Sequence, residues 1–322
     1  MAEEIDQYDN VVCSVVIPVY EESSFLYQVF SEISNVVESL NISYELILVD
    51  DGSKDDTWEV IKKLAETNSS LRALRLSRNF GKEHALCAGL ETAKGQAVII
   101  MDGDLQHPPE LIPKMIDVWK KTDVDLVEAF KEDRGSESVL NKLSARIFYF
   151  LLRKMSGYNL KGASDYKLLD RKVVNAWLKL PERSLFFRGM TAWLGFRKAE
   201  IFFVVPSRIS GRSKWSLPSL IKLSISGITA FSSLPLHIVT FAGLFFLTLS
   251  GVIGVQAIFL KLSGKAVDGF TTVILLISLV GSLTLISLGL IGLYIARIYE
   301  EVKGRPRYVI SEVIDNVKLN ET

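Results

Sequence analysis

Residues 234–260 (LPLHIVTFAGLFFLTLSGVIGVQAIFL) and 269–296 (GFTTVILLISLVGSLTLISLGLIGLYIA) contain no Asp, Glu, Lys or Arg. A hydrocarbon layer about 30 Å thick takes roughly 20 apolar residues to cross as a helix, so each stretch is long enough to span one with some tilt. A core helix of a soluble protein carries a polar face at that length, and neither stretch has one. Everything before residue 231 reads instead as water-soluble. The pattern predicts a soluble domain over 1–215, an interfacial amphipathic helix over 216–233, spans over 234–260 and 269–296, and a tail over 297–322.

Charge sets the expected orientation. Lys261, Lys265 and Asp268 are the charges between the spans, whereas Arg208, Arg212, Lys214 and Lys222 precede the first and Arg297, Lys303, Arg305 and Arg307 follow the second. Positive-inside asymmetry places both termini and the soluble domain in the cytoplasm. The opening MAEEIDQYDN is acidic and lacks the apolar core of a signal peptide. Cys13 and Cys87 are the only cysteines, and both sit in apolar runs, as in a reducing compartment. With 37 basic and 37 acidic residues the chain has no excess charge to draw it to nucleic acid.

The first 130 residues alternate short β-rich runs (Val11–Pro18, Tyr44–Asp50, Leu71–Leu76, Ala97–Met101, Asp125–Phe130) with segments of helical period (Phe25–Leu40, Asp56–Glu66, Lys82–Lys94, Pro109–Lys121). Near-continuous apolar strands separated by helices predict an α/β fold whose sheet is mostly parallel and covered on both faces. Ligands of such sheets bind beyond the carboxyl ends of the strands. The residues there are Pro18-Val19-Tyr20-Glu21-Glu22, Asp50-Asp51-Gly52-Ser53, Arg78-Asn79-Phe80-Gly81-Lys82 and Asp102-Gly103-Asp104-Leu105-Gln106. Taken singly each reads as a turn or a cap. Four in register gather acidic groups that repel unless a cation or a set of donors sits among them.

The Asp102-x-Asp104 pair is the most telling of the four. Two carboxylates one residue apart at a strand end can face one hard divalent cation, Mg²⁺ or Mn²⁺, while phosphate oxygens complete its shell. No G-x-x-x-x-G-K-[ST] occurs, which excludes a P-loop, and no G-x-G-x-x-G follows the first strand.

With VVIPVYEE, VDDGSKDDT, RNFGKEHA and MDGDLQHPPEL in this order, the chain resembles the family-two glycosyltransferases of GT-A fold. With its two C-terminal spans it resembles the polyprenyl-phosphate branch, which includes dolichyl-phosphate mannose synthase and the GtrB-type bactoprenol glucosyltransferases. The resemblance implies that Pro18, Tyr20, Glu22, Asp50, Ser53, Lys82, Asp102, Gly103, Asp104 and Arg208 contact the nucleotide sugar. It implies that Asp102, Asp104 and Gln106 hold the metal, and that Asp165 in ASDYK is the catalytic acidic residue beside sugar and acceptor. Arg134, and Arg212 and Lys214 of the GRSK run, would bind the acceptor phosphate. Arg146, Arg153 and Lys154, on the amphipathic stretch 138–155, read instead as headgroup-facing charges.

The implied activity is metal-dependent, inverting transfer of one sugar, first of all glucose from UDP-glucose, to undecaprenyl phosphate at the inner face of a bacterial plasma membrane. GDP-mannose and UDP-amino sugars remain open as donors. Two other readings are a processive polysaccharide synthase and a nucleotide-sugar sensor attached to a transporter. The first normally shows a Gln-x-x-Arg-Trp motif, absent here, and the second normally shows ionisable groups within the spans. The resemblance also implies a homo-oligomer, with the β-leaning piece Arg307–Ile310 available to a neighbouring subunit.

Overall fold

The computed structural model describes residues 12–131, 163–182, 186–204, 234–264 and 269–316. The described residues before 205, together with 306–316, form one compact unit, and residues 234–305 belong to a second. The interfacial stretch expected over 216–233 and the amphipathic stretch 138–155 lie outside the described residues.

The first unit is built on one eight-stranded sheet. Its strands are β1 (Cys13–Val19), β2 (Tyr44–Asp50), β3 (Leu71–Leu76), β4 (Ala97–Ile100), β5 (Leu126–Lys131), β6 (Ala163–Asp170), β7 (Lys198–Phe203) and β8 (Ile310–Asp315), in the order β7-β5-β6-β4-β1-β2-β3-β8. Helices α1 (Leu26–Glu38), α2 (Thr57–Thr67), α3 (Lys82–Thr92) and α4 (Leu111–Lys121) alternate with the first strands, as the hydrophobic periodicity predicts, and α5 (Arg171–Leu178) and α6 (Phe187–Trp193) follow β6. Strand β1 is buried along its whole length, as a central strand with helices on both faces must be. The apolar face of α1 (Leu26, Val29, Phe30, Ile33, Val37) packs into a core shared with Val15, Ile17, Trp58, Ile61, Ile99, Met115 and Tyr166.

The β3-β2-β1-β4 block is parallel, so its carboxyl ends emerge at one edge. Strand β6 then runs antiparallel beside β4, with Ile100 opposite Lys167. Continued two residues further, that register brings Asp165 across from Asp102. The strand also carries β5 antiparallel on its other side, and β7 pairs parallel with β5.

The tail does not stop beyond the apolar helices. Strand β8 adds antiparallel to β3 of the same chain, and it takes in only Ile310 of the Arg307–Ile310 piece. Polar side chains hold it there. Glu312 accepts from Trp58 Nε1 (2.9 Å) and from Arg75 Nη1 (2.8 Å), and Asp315 Oδ1 lies 3.1 Å from Nε of the buried Arg72. Arg72 in turn pairs with the buried Glu45 at 3.1 Å.

The second unit contains two long helices, α7 (Leu234–Leu262) and α8 (Phe270–Val302). Val239–Leu260 and Leu279–Val302 are long and apolar enough to cross a membrane by length and composition. Their hydroxyls turn back on their own helix. Thr240, Thr284 and Ser287 donate to the carbonyls four residues earlier (Leu236, Val280 and Leu283) at 3.1, 2.9 and 2.7 Å, which suits an apolar surrounding with no water to take them.

Candidate active site

A pocket of about 280 Å³ opens at the carboxyl edge of the parallel strands. It is lined by Pro18 at the end of β1 and Tyr20 and Glu22 after it, Asp51 after β2, Asn79, Gly81 and Lys82 after β3, and Asp102, Gly103 and Asp104 after β4. Of the residues expected to meet a nucleotide sugar, Pro18, Tyr20, Glu22, Lys82, Asp102, Gly103 and Asp104 thus share one wall.

Asp50 and Ser53 are placed behind that wall, and Asp51 is on it. Asp50 Oδ1 accepts the Ser53 N–H (2.9 Å), and its Oδ2 lies 3.5 Å from Arg75 Nε. Ser53 Oγ accepts the Glu21 N–H (2.9 Å), tying the β1 loop to the β2 loop. The Asp51 carboxylate accepts the N–H groups of Phe80 (2.8 Å) and Gly81 (2.9 Å), fixing the β3 loop in turn. Burial raises the Asp51 carboxyl above its ordinary range, and those two N–H donors oppose the rise. Gly52 makes this packing possible. Its φ is +68°, and a Cβ there would stand 2.3 Å from the Arg78 carbonyl carbon.

The acidic turn after β4 is equally fixed. His107, fully buried and stacked on Tyr166 with ring centroids 5.0 Å apart, accepts the Asp102 N–H at Nδ1 (2.9 Å). Its proton therefore belongs on Nε2. Asp104 Oδ1 accepts the Gln106 N–H (3.1 Å), so the main chain of Gln106 sets the Asp104 carboxylate. A Cβ on Gly103 would come 2.9 Å from Glu22 Oε2, so glycine there lets the Glu22 carboxylate lie close to the acidic turn.

Asp165, which β6 delivers to this edge, is buried and doubly held. Lys82 Nζ donates to its Oδ2 (2.7 Å) and lies 2.5 Å from Asp102 Oδ1. Arg188, on the short helix α6 (Phe187–Trp193), donates from Nε to Oδ1 (2.6 Å) and from Nη2 to Oδ2 (2.9 Å). Asp102, Lys82, Asp165 and Arg188 thus form a row of alternating charge. Burial works to raise the Asp165 carboxyl, but Lys82 and Arg188 outweigh it and hold the group well below the usual carboxylate range. Desolvation likewise opposes the Lys82 ammonium, and the fields of Asp102 and Asp165 overcome it and raise its pKa.

Sequence reasoning assigned no role to Arg188 or His107, and named Asp51 only within its strand-end stretch. Arg188 sits in Phe186-Phe187-Arg188-Gly189-Met190, where a lone cation among apolar residues was the available signal. Arg134, Arg208, Arg212 and Lys214 lie outside the described residues.

A mostly parallel sheet with an acidic turn beside a pocket, and an antiparallel strand carrying a further carboxylate to it, define a glycosyltransferase of GT-A type. The chain belongs to glycosyltransferase family 2, whose profile, Glycosyl transferase family 2, matches residues 14–177. It is 39% identical over 306 residues to an uncharacterized glycosyltransferase of Synechocystis sp., covering 94% of this chain and 96% of that protein. It is 37% identical over 301 residues to the bactoprenol glucosyl transferase of Shigella phage SfII, covering 93% and 97%. The prophage bactoprenol glucosyl transferase homolog of Escherichia coli is 35% identical over 302 residues, 93% and 98% of the two chains. Among solved structures, Mycobacterium tuberculosis glucosyl-3-phosphoglycerate synthase with Mn²⁺, UDP-glucose and phosphoglyceric acid superposes with a TM-score of 0.48 at 24% identity, over 68% of this chain and 79% of that one.

Proposed function

We propose that this enzyme transfers one sugar, glucose from UDP-glucose, to a polyprenyl phosphate such as undecaprenyl phosphate at the cytoplasmic face of a bacterial membrane. The observation that carries the reading is the charged row Asp102, Lys82, Asp165 and Arg188, which begins at the pocket wall that Asp102 and Lys82 share with Asp104. Similarity to bactoprenol glucosyl transferases over 93% of the chain supports the lipid acceptor. The two apolar helices support a membrane location. A polyprenyl chain leaves the bilayer only at about 0.8 kcal/mol for each exposed CH₂, so the enzyme has to meet the phosphate at headgroup level.

The residues present fit a divalent cation, Mg²⁺ or Mn²⁺. Asp102 and Asp104 offer hard carboxylate oxygens at the pocket wall. Asp104 makes no ion pair among the described residues, and no group of three or more His, Cys, Asp or Glu there is arranged to hold a metal. Asp102 and Asp104 would hold the ion, and Mg²⁺ and Mn²⁺ sites commonly need few protein carboxylates. It would supply positive charge against that of the departing diphosphate.

Lys82 stands beside Asp102 at the pocket wall and adds a fixed positive charge on the diphosphate side. A phosphate oxygen of the acceptor forms its bond to the anomeric carbon as the bond to UDP breaks, which inverts that carbon. The second pKa of a phosphate monoester is near 6, about a unit below neutrality, so the acceptor is already largely dianionic and needs no base. Asp165 makes a poor base in any case, because both oxygens are engaged and its pKa is depressed. Its role is to fix Lys82 and Arg188, and with them the place of the reacting groups.

The test is transfer of radiolabelled sugar from a panel of UDP- and GDP-sugars to undecaprenyl phosphate in detergent, with Mg²⁺ or Mn²⁺. Label from UDP-glucose alone, lost in Asp104→Asn, is the expected result. Label from another donor corrects the sugar. Metal-dependent nucleotide binding without transfer from any donor overturns the acceptor and favours a sensor.

A further inference from the structure

Glu83 takes no part in the chemistry above, yet it joins the two elements that bring the cations to Asp165. Lys82 and Glu83 open α3, and Phe187 and Arg188 open α6. Glu83 Oε2 accepts the Phe187 N–H at 2.8 Å, one of the amides at a helix start that no carbonyl of the helix itself can take. The residue after Phe187 is the arginine that grips Asp165, and the residue before Glu83 is the lysine that does the same. One hydrogen bond therefore fixes the backbone next to both cations.

The far side of α6 is held independently. Lys167, buried on β6 and paired with Glu128 at 2.9 Å, donates to Thr191 Oγ1 (2.7 Å). Asp165 and Lys167 are two residues apart on β6, so they share a face of the sheet, and Arg188 and Thr191 are three apart on α6 and share a face of the helix. With Thr191 and the buried Phe187 ring anchored, Glu83 supplies the hold on the first N–H of this short helix, one residue before Arg188. Without that hold the backbone at Arg188 is less constrained, whereas Asp165, Lys82 and the acidic turn have ties of their own.

We propose that Glu83 is a positioning residue for sugar transfer: it clamps the start of α3 to the start of α6 so that Lys82 and Arg188 converge on Asp165. Its rate effects rest on the reaction proposed above, whereas its dependence on Arg188 does not.

The experiment uses the full chain in detergent with Glu83→Ala, Glu83→Gln, Arg188→Met and the Glu83→Ala/Arg188→Met pair. For Glu83→Ala, kcat should fall tenfold or more while the donor KM stays within about twofold, because the pocket wall does not include Glu83. A glutamine oxygen still accepts the Phe187 N–H, so Glu83→Gln should keep at least a third of wild-type kcat. In the Arg188→Met background, Glu83→Ala should lower kcat by less than twofold. Multiplicative losses in the double variant, or equal losses for Gln and Ala, overturn the proposal. Should Glu83→Ala fail to fold, the same comparison is made with Glu83→Asp, whose shorter side chain falls short of the Phe187 N–H; a wild-type kcat there overturns it too. Should wild type show no transfer, the parent reading fails. The clamp is then judged by thermal unfolding of the four proteins, where Tm losses of Glu83→Ala and Arg188→Met that simply add count against it.

Discussion

The grip of Arg188 on Asp165 sets a measurable coupling energy. Two hydrogen bonds between charged groups, at 2.6 and 2.9 Å, join a carboxylate whose side chain is 7% exposed to a guanidinium that is 32% exposed. Bonds of this kind contribute about 1.5–3 kcal/mol each when well shielded. The partial exposure of Arg188 screens the pair, and Lys82 continues to hold Oδ2 when Arg188 is gone. The expected coupling is therefore about 2–3 kcal/mol rather than the full sum of two bonds. A double-mutant cycle with Arg188→Met and Asp165→Asn measures it by urea unfolding of the detergent-solubilised chain. Trp177 is a suitable fluorescent reporter, because its buried ring lies 6.1 Å from that of Phe187 at the start of the same helix. Arg188→Met alone should be the most destabilising of the three variants, since it leaves Asp102 and Asp165 to share one ammonium. A coupling below about 0.5 kcal/mol, the range of independent sites, would refute the view that the pair acts as a unit.

Gly52→Ala should lower Tm by several degrees and raise the donor KM tenfold or more. At φ +68° the left-handed backbone costs a non-glycine residue about 1 kcal/mol, and its Cβ would press on the Arg78 backbone, pushing the Asp51 loop off Phe80 and Gly81; a Tm and KM equal to wild type would contradict this. Asp165 and Glu83 predict pH effects of opposite sign. Asp165 is depressed, so its stabilising contribution is present above the ordinary carboxylate range and disappears as pH falls through its lower folded value. Glu83 is pushed up to about 7 by burial and by Asp165, against the Phe187 N–H, Lys82 and Arg188. The folded chain then keeps a proton that the unfolded chain has lost, and stability declines between the ordinary value of 4.5 and about 7. Melting curves from pH 5 to 8 should show Glu83→Gln gaining on wild type as pH rises, and a constant gap would count against it.

The parallel half of the sheet was legible because its strands are nearly pure apolar runs. Tyr44–Asp50 and Leu71–Leu76 occur with the expected bounds, and the other early strands differ by a residue or two at their ends. The strands that were not legible carry charge. β6 buries Asp165 and Lys167 in a pattern that reads as polar until Arg188, Thr191 and Glu128 are seen around them. β8 is exposed along almost all of its length and is held by ion pairs to residues more than two hundred positions earlier. The acidic turn was readable from its own spacing, whereas Arg188 reaches Asp165 from 23 residues away, and no local pattern encodes that meeting.

Strand β8 makes the catalytic unit discontinuous in sequence, since the chain leaves it before the apolar helices and returns after them. On the ribosome, both apolar helices are therefore made before the edge of β3 can be covered and before Asp315 can reach Arg72. Completion of the enzyme is tied by chain order to completion of its hydrophobic hairpin. A product that stops short of β8 leaves an open sheet edge, the kind of surface that draws other chains, and thereby presents itself to the machinery that removes unfinished proteins.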